Sequence, residues 1–180
     1  MSSEELHELH EHAEHAKHNP SLAPVSVTMA TLAVLVAVES LLGHRAATEA
    51  VLNQSKASDQ WAYYQAKNIR GHEDTLFANL TAITPAANAE ALAKVREENL
   101  KEAERYRDEQ KEIEEKAKEL EQEVALEQRK ADRFDLGEVF LEIALVISSI
   151  TLLSGKRMFW HLGLLMGAIG VVLAGTGFLV

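Results

Sequence analysis

The chain has 180 residues, a formal net charge of -10 and no cysteine. The acidic balance argues against nucleic-acid binding, because phosphate contacts require clustered Lys and Arg side chains. The lack of cysteine excludes disulfides, thiolate catalysis and cysteine-ligated zinc. The apolar residues are concentrated in three runs, so we expect one membrane unit without a large water-soluble core.

Residues 1–20 form an acidic, His-rich N-terminal tail. Its five histidines form two sets with a spacing of three residues, His7 and His10, then His12, His15 and His18, and on a short helix this spacing places neighbouring imidazoles of a set on one face. Such pairs could hold a divalent transition metal. We favour a solvated acidic tail without a cofactor, because a helix of this length is marginal by itself and no further ligand of fixed geometry is evident.

Residues 21–43 are predicted to form the first transmembrane helix. The run is about as long as the roughly 20 residues that cross a bilayer. It begins far from the N-terminus and lacks a basic leader and a cleavage signal, so it resembles an anchor more than a signal peptide. Glu39 is the one carboxylate inside it and lies about one turn from the Gly43 end.

Residues 44–135 are predicted to form a soluble antiparallel helical hairpin resembling a coiled coil. The outgoing arm continues the first span without a proline, and its seam is expected at Trp61, Tyr64, Asn68, Leu76 and Leu80. The chain reverses near residues 81–88, because Pro85 disfavours helix at Thr84. The return arm keeps a coiled-coil register from Leu92 to Val124 that is polar in its first half and apolar in its second.

The second and third transmembrane helices are predicted at residues 136–153 and 158–180, as antiparallel neighbours joined by a short loop. The third span carries Gly163, Gly167 and Gly170, and the first two have the spacing that lets helix backbones approach closely in lipid. We expect these glycines to pack against another helix, within the chain or between subunits. A hinge or a pore lining is the alternative.

Four residues form a candidate intramembrane site. Glu138 and Glu142 lie four residues apart on one face of the second span, and Glu142 lies about as far inside its span as Glu39 does in the first. If those spans are neighbours, Glu39, Glu142 and His44 meet at one depth. Carboxylates inside a membrane are candidates for function, although snorkelling to the interface is the simpler explanation here.

The stretch DQWAYYQAK, Asp59 to Lys67, resembles the hallmark of a bacterial membrane family catalogued as a domain of unknown function, number 4337. One span, a charged helical region and two C-terminal spans agree with it over nearly the full length. The resemblance implies a bacterial envelope protein without an established activity. In physical terms, Trp61 and Tyr64 are expected to pack in the hairpin or against a partner, with Gln65 and Lys67 pointing elsewhere.

The sequence therefore predicts an all-α protein of the bacterial inner membrane with three transmembrane helices. The positions of Lys and Arg beside the spans favour a cytoplasmic hairpin. We expect a self-associating structural or interaction protein whose partners are the bilayer, further copies and a protein bound to the hairpin. The alternative is an oligomeric channel or transport component for protons or metal cations that uses the intramembrane carboxylates. No catalytic constellation, phosphate loop or zinc-protease motif is present, so we do not expect an enzyme.

Overall fold

A computed structural model describes residues 22–85 and 87–180, which form three α-helices. They are α1 (Ala23–Ile83), α2 (Ala89–Ser154) and α3 (Arg157–Gly177), and no strand occurs in this part of the chain. The predicted all-α class is confirmed. The N-terminal tail at residues 1–20 lies outside the described residues.

Local chemistry sets the ends of these helices. Pro24 lies in the first turn of α1, where its missing N–H breaks no helical hydrogen bond. α1 ends at Ile83, before Pro85, and the Asn88 side chain then caps α2 by accepting a hydrogen bond from the Ala91 N–H at 3.0 Å. α2 ends at Ser154, and Gly155 adopts φ 67°, a left-handed conformation that suits glycine at a helix C-terminus.

The contacts between Cα atoms divide the chain into two compact units. The first, which we call the apolar unit, contains α1 up to Glu49 together with Leu126–Val180. The second, which we call the charged unit, is Ala50–Ala125. Each of the three helices contains a segment long and apolar enough to cross a membrane.

In the apolar unit, the interior is small and the surface is apolar. Its buried cluster consists of Leu32, Leu141 and Ala144. Large aliphatic side chains point outward, among them Val27, Val34, Leu165 and Val172, which are 57–67% exposed. Small residues between helices and aliphatic residues outside are typical of helices that pack in lipid.

In the charged unit, one face of each helix is buried. On α1 the buried residues are mostly small: Ala50, Asn53, Ala57, Gly71, Ala78 and Thr81. On α2 they are Ala103, Tyr106, Ile113, Ala117, Leu120 and Val124. These α2 residues are members of the predicted register, whose burial is confirmed from Ala103 to Val124 except at the half-buried Gln110, whereas Arg96 near its start is exposed.

The predicted α1 seam is wrong at two positions. Leu76 and Leu80 are 66% and 57% exposed, so they do not belong to the buried face. Ala78 and Thr81 occupy that face instead. The buried residues are small, which lets the two helices approach closely. Because small residues carry little hydrophobic signal, a prediction from hydrophobicity alone identified the wrong side of α1.

Candidate functional site

Trp61 and Tyr64, from the Asp59 to Lys67 stretch, lie together on α1 of the charged unit. The two rings pack edge to face, with centroids 5.6 Å apart and an interplanar angle of 75°. The Trp61 Nε1–H donates a hydrogen bond to Glu121 Oε1 of α2 at 2.8 Å. Both aromatic residues are half-buried, so part of each ring is available to solvent.

Lys67 also contacts α2, contrary to the expectation that it points elsewhere. Its Nζ lies 2.6 Å from Glu109 Oε2, and 4.9 Å from the centroid of the Tyr106 ring. The hydrogen bond to Glu109 raises the pKa of Lys67 above its ordinary value, and the same bond lowers the pKa of Glu109. The spacing of Lys67 from Tyr64 was the signal for this contact, because residues three apart share a helix face.

Asp59 and Gln65, in the same stretch, are exposed. The contacts between α1 and α2 in this unit follow a regular order along the two helices. Trp61 contacts Glu121, Lys67 contacts Glu109, and a Cβ on Gly71 would lie 3.4 Å from Tyr106 Cβ. The partner numbers fall as the α1 numbers rise, which is the order that two antiparallel helices produce.

An open groove of about 530 Å³ lies beside Lys67. Its lining comprises Gln60, Tyr63, Lys67, Ile113 and Lys116 together with the four carboxylates of Glu109, Glu112, Glu115 and Glu119. These side chains can form salt bridges with a basic partner. None of the lining residues supplies a serine, cysteine or histidine for nucleophilic catalysis.

Glu39 is the most unusual side chain of the apolar unit, because it carries an ionisable carboxyl group and is only 6% exposed. Its Oε2 has no hydrogen-bond partner among the described residues. A Cβ on Gly137 of α2 would lie 2.8 Å from this oxygen and 2.8 Å from Ala174 Cβ of α3, so all three helices meet here. Gly137 thus leaves the space that the carboxylate occupies.

The other candidates for the intramembrane site have different surroundings. Glu138 is half-buried. Glu142 and His44 are both exposed. Glu39 is therefore the buried carboxylate of this set, while Glu142 lies on the outer surface of α2.

Two further polar groups are buried in the apolar unit, and the sequence analysis missed them. Ser148 and Thr151 are 0% exposed, and neither hydroxyl oxygen has a hydrogen-bond partner among the described residues. Their spacing from Leu141 and Ala144, at intervals of three and four residues, was the available signal. These hydroxyls and Glu39 give the unit a partly polar interior.

The glycines of α3 pack within the chain. A Cβ on Gly163 would contact Ser148 Oγ and would lie 2.9 Å from the Ala144 carbonyl oxygen. At Gly167 it would lie 2.9 Å from Leu32 Cδ2, and at Gly170 it would lie 2.9 Å from the Gly137 carbonyl oxygen. These three positions face α1 and α2 of the same chain.

Within residues 22–85 and 87–180, no group of three His, Asp or Glu side chains is arranged to hold a metal ion. The five tail histidines considered as metal ligands lie outside the described residues: His7, His10, His12, His15 and His18.

No curated protein and no solved structure matches the chain significantly. The family described as "Domain of unknown function (DUF4337)" matches residues 21–180, from the start of the first apolar run to the last residue. The resemblance suggested by the sequence is confirmed, and the chain belongs to the DUF4337 family.

Proposed function

We propose that this chain is an integral protein of the bacterial inner membrane that assembles with further copies and serves as a structural or interaction protein. Residues 21–43, 136–153 and 158–180 cross the bilayer in this proposal. Residues 44–135 form a helical hairpin in the cytoplasm. The observation that carries it is the contrast between the two units, one apolar on its surface and the other covered with charge.

The apolar surface supports membrane insertion. Exposed aliphatic side chains on all three helices would be costly in water, at roughly 25 cal/mol for each Å² of apolar surface. In a bilayer the same side chains face hydrocarbon without cost. The buried small residues and hydroxyls of the apolar unit fit this solvent, because interfaces between membrane helices favour them.

Membrane insertion and orientation are tested together in cells. The chain is expected in the membrane fraction after alkaline washing. Protease added outside intact spheroplasts is expected to leave residues 89–133 uncut, and to cut them after the spheroplasts are lysed. Recovery in the soluble fraction would refute membrane insertion, and cleavage in intact spheroplasts would refute the cytoplasmic orientation alone.

Self-association is supported by the apolar side chains that remain exposed in the charged unit, where no lipid covers them. Ile69, Leu76 and Ile83 are 58%, 66% and 79% exposed. Large apolar side chains repeated along one helix face outside a membrane are typical of a protein interface. Native mass spectrometry of the full chain from lipid nanodiscs is expected to show oligomers, and a monomer across the accessible concentrations would refute the proposal.

A second candidate function is proton or cation transport through Glu39. The supporting observation is its buried Oε2 without a hydrogen-bond partner among the described residues. Buried carboxylates in membranes commonly mark ion or proton pathways. In proteoliposomes, Glu39→Gln is expected to abolish a flux that the exposed Glu142→Gln retains. A wild-type flux no greater than that of empty vesicles would refute this candidate.

A further inference from the structure

The outer face of α1 in the charged unit carries a row of large aliphatic residues. Ile69, Leu76, Leu80 and Ile83 are 58%, 66%, 57% and 79% exposed. We call these four residues the α1 stripe. The opposite side of the same helix is the buried seam that contains Gly71 and Ala78, so the stripe points away from α2.

The spacing of the stripe is that of a coiled coil. Its intervals of seven, four and three residues continue backwards through Ala66 and Ala62, with Glu73 at the one polar position between Ile69 and Leu76. In heptad terms Ile69, Leu76 and Ile83 take position d, and Glu73 and Leu80 take position a. α1 thus has one coiled-coil seam facing α2 and a second that no described residue covers.

A helix that fits the second seam must offer a matching apolar row. The α2 part of the charged unit is a poor match, because it exposes fewer large apolar side chains, Val95 and Leu100, and residues 89–125 contain thirteen acidic and eight basic side chains. The α1 part, residues 50–83, has three of each sign and is electrically balanced. Two α1 stripes can therefore meet without net repulsion, while the acidic α2 surfaces stay apart on the outside.

We propose that the α1 stripe is the contact through which two copies of this chain pair, as parallel helices in register. This inference rests on the proposed self-association and specifies its surface. Both ends of the charged unit continue into apolar helical segments, so copies inserted in one membrane share a direction. Identical residues of the stripe then lie at the same height and face each other.

The size of the stripe indicates a weak contact that depends on the membrane. Residues 62–83 extend over about 30 Å of a helix about 10 Å wide, which gives a footprint on the order of 300 Å². A stable stand-alone interface buries about 800 Å² on each partner. Confinement in a bilayer raises the effective concentration of copies and compensates for the smaller contact, so the full chain pairs more readily than its charged unit would.

Glu73 limits the strength of this pairing. In a parallel pair, the two Glu73 carboxylates face each other at one layer of the seam. Like charges at such a position weaken association and help to fix the register. Replacing Glu73 with leucine removes the repulsion and completes the apolar row.

The test uses single cysteines, because the native chain has none. Leu76→Cys places a thiol in a layer where Cα atoms of paired helices lie within disulfide range, and a mild oxidant in native membranes is expected to produce a covalent dimer. Glu104→Cys is the matched control on the exposed, charged side of α2, and it is expected to crosslink at least tenfold less. In the Leu76→Cys background, Leu80→Glu is expected to reduce the crosslink at least tenfold, and Glu73→Leu to increase it.

Each outcome separates the stripe from self-association in general. Equal crosslinking at positions 76 and 104 would indicate random collision and would overturn the proposal. No crosslink at position 76, with oligomers still present by native mass spectrometry, would overturn the stripe and leave self-association standing. Monomers by both methods would overturn both. The substituted positions are exposed, and far-UV circular dichroism checks that each variant keeps its helices.

Discussion

Single apolar side chains are as exposed in the charged unit as in the apolar unit, but their distribution around the two units differs. Val27 and Val172 in the apolar unit are both 67% exposed, and Leu76 in the charged unit is 66% exposed. In the apolar unit, all three helices show such residues, as the proposed insertion in lipid predicts. In the charged unit they are concentrated on α1, while α2 is covered by charged side chains. The exposure of a single residue therefore does not indicate what covers it. The distribution of exposed apolar residues around a unit does.

The interiors of the two units also differ in polarity. The apolar unit buries Ser148, Thr151 and Glu39, although its surface is aliphatic. The charged unit buries alanines, Tyr106, Ile113 and Leu120 beneath a polar surface. Close contact between backbones stabilises the first interior, whereas burial of apolar area stabilises the second.

Filling the close contact in the apolar unit is expected to have the largest effect. A Cβ on Gly170 would lie 2.9 Å from the Gly137 carbonyl oxygen and 3.1 Å from Leu141 Cγ, and the backbone atom cannot rotate away. Gly170→Ala should therefore destabilise the unit by roughly 1–3 kcal/mol. Thermal unfolding in detergent, followed by circular dichroism, measures the change.

Gly175→Ala is the matched control for this prediction. It is a glycine of the same helix, and a Cβ there would meet nothing within 4 Å. Its melting temperature is expected to equal or slightly exceed that of the wild type, because alanine favours helix. Similar losses in both variants would show that α3 does not depend on backbone contact at Gly170.

Truncating Trp61 tests the interior of the charged unit. Trp61→Ala removes an aromatic ring packed on Tyr64 and the hydrogen bond to Glu121. Because Trp61 is half-buried, we expect a loss of about 2 kcal/mol, below the roughly 3–5 kcal/mol of a fully buried aromatic residue. Trp61→Phe, which keeps a ring but not the N–H, should lose less. Fluorescence in a Trp160→Phe background should show partial quenching of Trp61 by iodide, and complete quenching would contradict this packing.

The sequence predicted where the helices lie better than it predicted which face of each helix is buried. Apolar run length and helix-breaking residues located the three helices, and the register from Ala103 to Val124 followed from aliphatic spacing. The seam of α1 was missed at Leu76 and Leu80, because its buried residues are small and carry little hydrophobic signal. The neighbours of Glu39 were not predictable either, because they depend on how three helices rotate relative to one another, which the sequence does not state.

Gly71→Ala is expected to change the stability less than Gly170→Ala does, and in the opposite direction. It lies inside α1 and is buried, yet a Cβ there would make ordinary contacts of 3.4 Å with Tyr106 Cβ and 3.7 Å with Gln110 Nε2. Gly71→Ala should stabilise the charged unit by about 0.5–1 kcal/mol, because glycine is a poor helix former. An increase in melting temperature supports this packing. A decrease comparable to that of Gly170→Ala would show that the charged unit also depends on backbone contact.

The smallest effect expected concerns pH and the pair formed by Lys67 and Glu109. The hydrogen bond from Lys67 holds the pKa of Glu109 below its ordinary value of 4.5, so the stabilisation is present above pH 4.5 and is lost as the pH falls through the lower, folded value. The hydrogen bond to Glu109 holds the pKa of Lys67 above 10.5, so stabilisation is present below pH 10.5 and is lost as the pH rises through the higher value. The difference in melting temperature between the wild type and Glu109→Gln should therefore be constant from about pH 5 to 10 and shrink on both sides. We expect a small difference, because solvent screens a pair near the surface. A difference that is absent at pH 7, or that grows in acid, would show that this ion pair does not hold α1 to α2 in the charged unit.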